Sequence, residues 1–337
     1  DYLGVRDMGL FETLRPMEVV KQERVKDLNR VQLKEKVTYQ ITALLANKII
    51  AQESFDRWYK KESIQYMDII KNTWQGRLFF EEPHNPRPAI IVLSGSDGGI
   101  EKAQNIAMLL SNYGFVTMAI SYFGMRKQPS DLNQIPIESI EEVLQYLKQL
   151  EFVDVSNIGI YGRSKGAELA LLSLTKYSGL KCAVLNSPSD RVYEGIRGKM
   201  NAKHSSWTYE DKEVPYKPFR WIEVIKNKLF KIPMKDKTGI MELEKVKCPL
   251  LLISSLRDEV WDSFDAAMNI LTKVSSSNKK MVLTTELGHM NTISYLPNIR
   301  YNNRSDKIYG EAVVSWESTV SWFIEHLMKE FKSENVI

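Results

Sequence analysis

Ile158-Gly159-Ile160-Tyr161-Gly162-Arg163-Ser164-Lys165-Gly166-Ala167-Glu168-Leu169-Ala170-Leu171-Leu172 is the stretch on which the reading of this chain turns. Its first four residues read as an apolar strand and its last six as a helix. The five between them spell G-x-S-x-G. A serine at a tight strand-to-helix turn is the pattern of a nucleophile elbow. A side chain at Gly162 or Gly166 is expected to collide with neighbouring backbone. Ser164 is then held in strained geometry with its hydroxyl above the sheet edge, and the helix N-terminus behind it favours developing negative charge. An ordinary glycine-flanked loop can carry the same letters, so the motif needs support from its surroundings.

That support comes from the segments on either side. From residue 63 the chain alternates strands and helices. Ile64–Ile70 and Gln75–Phe80 read as an antiparallel pair, and Pro83-His84-Asn85-Pro86-Arg87-Pro88 as a turn. Ala89–Leu93 is a short continuous apolar run, as expected of a strand buried on both faces. Further strands are expected at Phe115–Tyr122, Ala183–Asn186, Leu250–Ser254 and Met281–Thr285. Helices are expected at Ile100–Tyr113, Ile137–Leu150, Ser263–Val274 and Glu311–Phe331. Such alternation implies a mostly parallel sheet with helices on both faces. Together with the elbow it defines an α/β class and an α/β-hydrolase fold. The expected division is a helical N-terminal arm over 1–62 and a catalytic domain over 63–337. The alternation is interrupted at about 190–247, where a lid is expected. That insertion is rich in aromatics, among them Tyr193, Trp207, Tyr209, Tyr216, Phe219, Trp221 and Phe230.

Composition narrows the function. Of 337 residues 26% are charged and 43% hydrophobic, an ordinary globular balance. No apolar run approaches the roughly 20 residues that span a bilayer. A net charge of only +4 argues against a dedicated nucleic-acid binder. The charge is uneven: residues 191–247 carry 14 Lys/Arg against 8 Asp/Glu. Their excess of cations suits an anionic ligand, with Lys226 and Lys228 among the candidates, although a solvated basic surface has the same composition. Cys182 and Cys248 each open an apolar strand and read as buried free thiols. There is no metal-ligand spacing, dinucleotide fingerprint or Walker loop, so no cofactor and no metal are expected. The expected partner is a small molecule, with the oligomeric state left open. A cytoplasmic location is favoured, although a chain that begins at Asp1 rather than Met leaves room for a removed signal or anchor.

A serine hydroxyl needs a base to take its proton. In this fold the order is Ser, then Asp/Glu, then His. His289 lies just past the last strand, where the base belongs. His326 sits in the terminal amphipathic helix, His84 precedes the core and His204 falls in the insertion. The acid should follow Leu250–Ser254, and Asp258 does, placed to accept the His289 Nδ1–H. Asp190 is the rival, with Glu259 and Asp262 behind it. The oxyanion hole needs two backbone N–H groups. Lys165 supplies one, and Ser96 or Asp97 in Ser94-Gly95-Ser96-Asp97-Gly98-Gly99 the other.

At this point residues 74–331 resemble the C-terminal catalytic domain of the acyl-CoA thioesterase / bile acid-CoA:amino acid N-acyltransferase family. Gly76-Arg77-Leu78-Phe79-Phe80 resembles the family's opening strand, and the 94–99 loop its glycine-rich turn. Asn112-Tyr113-Gly114-Phe115-Val116 and Ala119-Ile120-Ser121-Tyr122 match the next turn and strand. The elbow stretch is the closest match. Asp258 followed by Trp261, and Gly288-His289, complete it. The resemblance implies a triad of Ser164, Asp258 and His289 acting on an acyl-CoA thioester. Two departures stand out. The family's N-terminal β-sandwich is replaced here by a shorter arm. The nucleophile is Ser, where the bile-acid acyltransferases use Cys, which favours hydrolysis over transfer to an amine. A carboxylesterase and an amine acyltransferase remain the enzymatic alternatives, and a non-catalytic binding protein on the same scaffold the rival from another class.

Overall fold

The computed structural model describes residues 25–82, 85–220, 237–289 and 305–328. The helical arm expected over 1–62 is corrected where it is described. Residues 1–24 lie outside the described residues. Beyond a single 3-10 turn at Leu28–Arg30, the arm forms an antiparallel hairpin of β1 (Lys36–Leu45) and β2 (Lys48–Trp58). Val37, Thr38, Tyr39, Ile41, Thr42, Ile49, Ile50 and Phe55 are β-branched or aromatic types that suit a pleated surface. Ala46 and Asn47 turn the chain with φ of 46° and 64°. Two central residues with positive φ make the hairpin-forming turn whose twist matches the strands.

The remaining elements follow the alternation. They are β3 (Ile64–Ile70), β4 (Gln75–Glu81), β5 (Arg87–Leu93), α1 (Glu101–Ser111), β6 (Val116–Ser121), β7 (Ile135–Pro136), α2 (Glu138–Lys148), β8 (Val153–Arg163), α3 (Lys165–Lys176) and β9 (Cys182–Asn186). The insertion then contributes β10 (Glu194–Arg197), β11 (Met200–Ser205), β12 (Trp207–Tyr209) and β13 (Lys212–Glu213). The chain returns with β14 (Leu250–Ser255), α4 (Ser263–Lys273), β15 (Lys279–Thr284) and α5 (Ser305–Leu327).

One eight-stranded sheet organises the molecule, in the order β15-β14-β9-β8-β5-β6-β4-β3. β3/β4 and β4/β6 pair antiparallel, and the other neighbours pair parallel. This is the mostly parallel sheet flanked by helices that the alternation implied. The central strand shows why its sequence is apolar throughout. Ile91 and Leu93 pack into the core beneath α2 and α3, whereas Ile90 and Val92 pack into the core beneath α1 and α5. Alternate side chains of a strand point to opposite faces, so a strand covered on both sides keeps no polar face.

The arm is tied to this unit. Leu28 and Val31 are buried in the α1–α5 core. Arg77, 2% exposed on β4, donates to the carbonyls of Leu28 (3.2 Å) and Val31 (3.0 Å) and to Gln104 Oε1 (2.7 Å). Its Nε bonds Asp68 at 2.7 Å. A buried guanidinium with this many acceptors fixes the arm's backbone against α1. Both cysteines are free thiols, and burial pushes the Cys248 thiol up to about 12 and that of Cys182 well above its usual range.

The ends of the insertion are zipped together. Val192 N–H donates to the Gly239 carbonyl (2.8 Å) and Met241 N–H to that of Asp190 (3.1 Å). Between them, β10 and β11 form a hairpin, while β12 and β13 join β7 in a small separate sheet. Trp221, Lys226, Lys228 and Phe230 lie outside the described residues, as does His84.

Candidate active site

The elbow geometry follows from its two glycines. A Cβ on Gly162 would stand 2.3 Å from the Gly166 carbonyl oxygen, and one on Gly166 2.3 Å from that of Ser94. Both distances are far inside van der Waals contact, so β8, α3 and the 94–99 loop can close on one another only with glycine at both positions. Ser164 caps α3 at φ 56°, ψ −122°, a conformation that costs a non-glycine residue about 1–3 kcal/mol. It persists because the flanking strand and helix are each fixed by the core.

The loop after β15 carries His289, and the loop after β14 carries Asp258. The structure brings both to Ser164. His289 Nε2 lies 2.7 Å from Ser164 Oγ, and His289 Nδ1 lies 2.9 Å from each oxygen of Asp258. A carboxylate only accepts, so Nδ1 must carry the proton. In neutral imidazole that leaves the Nε2 lone pair facing the serine hydroxyl. Asp258 also accepts from the backbone N–H groups of Val260 (3.0 Å) and Trp261 (3.1 Å). All three side chains are almost fully buried, at 7%, 2% and 3% exposed for Ser164, Asp258 and His289.

The rival acids are engaged elsewhere. Asp190 is paired with Arg191 Nε at 2.9 Å and accepts from Asn269 at 2.6 Å. Asp262 caps α4 by accepting from Asp265 N–H. Glu259 accepts the backbone N–H of His289 at 2.7 Å. A Cβ on Gly288 would sit 2.3 Å from that Glu259 oxygen, so the glycine makes the contact possible. His326 bonds the Trp322 carbonyl and Asn278, and His204 an exposed Glu213.

Several supports are missed by reading the sequence alone. Ser187 Oγ donates to the His289 carbonyl at 2.7 Å, and Ser255 Oγ donates to that of Leu287. The edge of Trp261 meets the His289 ring, with centroids 4.8 Å apart at 86°, and Tyr193 stacks on Trp261 at 5.5 Å and 8°. Behind the elbow, the Lys165 ammonium bonds Glu168 (2.9 Å), Ser206 Oγ (2.7 Å) and the Tyr193 carbonyl (3.1 Å), and Trp207 Nε1 donates to Glu168 at 2.7 Å. Burial lowers the Lys165 pKa and raises that of Glu168, each partly restored by the other's charge. The i,i+3 spacing of Lys165 and Glu168 was a visible signal; their insertion partners had none.

The 94–99 loop lies against Ser164. A Cβ on Gly95 would fall 3.0 Å from Ser164 Cβ. Asp97 pairs with Lys102 (2.6 Å) and with Arg163 Nη2 (3.3 Å), tying that loop to α1 and to the end of β8. The cavity over Ser164 has a volume of about 450 Å³. The insertion lines it with Glu194, Ile196, Lys199, Met200, Asn201 and Phe219. Among the described residues, no cluster of His, Cys, Asp or Glu is placed to hold a metal, and no helix is long and apolar enough to cross a membrane.

The sheet and the elbow define an α/β-hydrolase. Residues 135–329 match the family model BAAT / Acyl-CoA thioester hydrolase C terminal, and the chain belongs to that family. Membership places it among enzymes acting on thioester and ester bonds. Acyl-coenzyme A amino acid N-acyltransferase 1 of Mus musculus is 24% identical over 328 residues, covering 88% of this chain and 72% of that protein. Acyl-coenzyme A thioesterase 2, mitochondrial, of Mus musculus is 23% identical over 307 residues, covering 88% of this chain and 65% of that protein. Among solved structures, the acylaminoacyl peptidase of Pyrococcus horikoshii superimposes with a TM-score of 0.54 at 14% identity, over 81% of this chain and 43% of that one. That likeness is one of fold.

Proposed function

We propose that this protein is a serine acyl hydrolase that cleaves an acyl thioester, with acyl-CoA as its substrate class, through Ser164, His289 and Asp258. The observation that carries the reading is the unbroken relay from Asp258 through His289 to the Ser164 hydroxyl, at 2.9 Å and 2.7 Å. His289 Nε2 takes the hydroxyl proton as Ser164 Oγ attacks the thioester carbonyl. Asp258 holds the tautomer and stabilises the imidazolium. The tetrahedral oxyanion is held by the N–H of Lys165 and that of Ser96 or Asp97. Collapse expels the thiol with the proton from His289 and leaves an acyl-Ser164 ester. Water, deprotonated by His289, then releases the carboxylic acid and regenerates the serine. The insertion walls the acyl pocket over this centre.

The family includes both thioesterases and N-acyltransferases, so the acceptor is the point to test. Purified protein is assayed against a panel of acyl-CoAs, p-nitrophenyl esters and amine acceptors, together with fluorophosphonate labelling. Labelling at Ser164 and release of free acid from an acyl-CoA are expected. N-acyl product in preference to acid would make it an acyltransferase. Activity on aryl esters alone would make it a carboxylesterase. A folded protein that neither labels nor turns over any of them would be a non-catalytic scaffold.

A further inference from the structure

The catalytic cavity has a larger neighbour. A cleft of about 970 Å³ opens between residues 25–34 and the turn that begins α1, and Arg126 from the loop after β6 completes it. Asp97 borders both cavities. The two cavities therefore adjoin at Asp97. Both the 94–99 loop and the loop carrying Arg126 follow the carboxyl ends of sheet strands, the region where open α/β sheets bind ligands.

The two cavities differ in charge. The catalytic one is balanced, with Arg163, Lys165 and Lys199 against Asp97, Glu194 and Glu259, and its Lys165 is already bound to Glu168. The cleft has Lys26, Arg30, Lys34, Lys102 and Arg126 against Asp27, Asp97 and Glu101. Lys102 is paired with Asp97 at 2.6 Å and Arg126 loosely with Asp27 at 3.8 Å. No ion pair engages Lys26, Arg30 or Lys34 among the described residues.

These three cations are carried on fixed backbone. Leu28 and Val31, on either side of Arg30, are 1% and 5% exposed, and their carbonyls are held by buried Arg77. Gln104 Nε2 donates to the Gln32 carbonyl at 3.0 Å. Arg126 N–H donates to the Lys26 carbonyl at 2.6 Å and so joins the two walls. The cost of organising the charges is thus met by folding, which favours binding of a multiply charged anion.

We propose that this cleft holds the phosphate-bearing end of the coenzyme A leaving group, with Arg30, Lys34 and Lys26 as its cationic contacts, while the acyl chain lies under the insertion. Arg30 can meet a phosphate through two parallel N–H donors, and the lysines act as point charges. The cavity over Ser164, at about 450 Å³, is then left for the acyl group and the thioester. The proposal rests on the thioester reading above. It moves the phosphates away from the described part of the insertion, where the two charged residues lining the catalytic cavity, Glu194 and Lys199, cancel.

The test compares wild type with the Arg30→Glu/Lys34→Glu double variant on two thioesters of one acyl chain, the CoA ester and the N-acetylcysteamine ester, alongside calorimetric titration of free CoA. Both residues are exposed, and a matched far-ultraviolet spectrum checks that the variant folds. The ratio of kcat/KM for the CoA ester to that for the small thioester should fall at least about tenfold, as expected from loss of charge-assisted hydrogen bonds. Free CoA affinity should fall with it. An unchanged ratio together with unchanged CoA affinity overturns the cleft, while turnover of either thioester keeps the hydrolase reading standing. If Lys199→Glu and not the double variant splits the two substrates, the phosphates lie on the insertion side and the cleft is again wrong. If wild type cleaves neither thioester, the hydrolase reading falls and the titration decides the cleft by itself. CoA bound by wild type and lost in the double variant supports it, and no binding by wild type overturns it.

Discussion

Gly95 and Ser164 are packed so closely that a methyl group on Gly95 would lie 3.0 Å from Ser164 Cβ and 3.4 Å from Ser164 Oγ. The glycine therefore sets how near the loop after β5 approaches Ser164. Gly95→Ala should push the loop and the serine apart by a few tenths of an ångström and lower kcat by at least about tenfold, because reacting groups tolerate little displacement. The variant should fold normally and label more slowly with a fluorophosphonate. Wild-type kcat would mean that this approach does not matter to catalysis.

Ser164→Ala and His289→Ala should each remove nearly all turnover, and the double variant should be no worse than either alone. The two groups act in one proton transfer, and losing either typically costs several orders of magnitude. Steady-state rates of the three variants give the answer. Additive losses would show that the 2.7 Å contact is not the working one.

Asp258→Asn should impair turnover strongly, since an amide opposite Nδ1 disturbs the tautomer that puts the lone pair on Nε2. Asp190→Asn should leave kcat nearly intact and instead lower stability, because Asp190 holds buried Arg191 and Asn269 rather than His289. The pair of variants is compared by kcat and by urea midpoint. If Asp190→Asn is the crippled enzyme and Asp258→Asn the active one, the acid is misassigned.

Glu168→Gln should destabilise the protein by roughly 3–5 kcal/mol, the usual cost of leaving one member of a buried ion pair alone. Lys165 and Glu168 are 4% and 0% exposed, so water cannot replace the missing partner. Replacing both by Met and Leu should recover most of the loss. Equilibrium urea unfolding measures both variants, and equal stability of the single variant and wild type would show that the pair is dispensable.

Glu311 links stability to pH near the active site. Burial raises its pKa, but hydrogen bonds from the Thr285 hydroxyl and from the N–H groups of Leu287, Thr285 and Glu286 outweigh it, so the net shift is downward. A carboxylate whose folded pKa is depressed adds stability above its unfolded value, about 4.3. That stability is lost as pH falls through the folded value. Glu311→Gln should therefore reduce stability at neutral pH and narrow its difference from wild type in acid. It should also speed amide exchange at 285–287, in the loop that delivers His289. Exchange rates equal to wild type would remove Glu311 from that role.

The sheet was legible in the sequence because each of its strands and helices announces itself locally. Ala89–Leu93 is apolar at every position because it is covered on both faces, and Gly162 and Gly166 are small because backbone passes within 2.3 Å of where their Cβ atoms would be. Chain order then pointed to Ser164, Asp258 and His289, since the loops after parallel strands open on one edge of the sheet. The arm defeated the same reading. Ala46-Asn47 lacks the glycine that usually marks a two-residue hairpin turn, and the apolar run before it fits either a helix or a strand.

The tertiary structure supplied the partners of the two acids, His289 for Asp258 and Arg191 with Asn269 for Asp190, although chain order had already set Asp258 ahead. It alone showed Trp207 and Ser206 reaching the ion pair behind the elbow, contacts about 40 residues apart in the chain that no local pattern encodes. It alone placed residues 25–34 beside Asp97. Burial and periodicity write elements into a sequence residue by residue. Which side chains finally meet depends on how those elements pack, and a hydrogen bond between distant residues leaves no periodic trace.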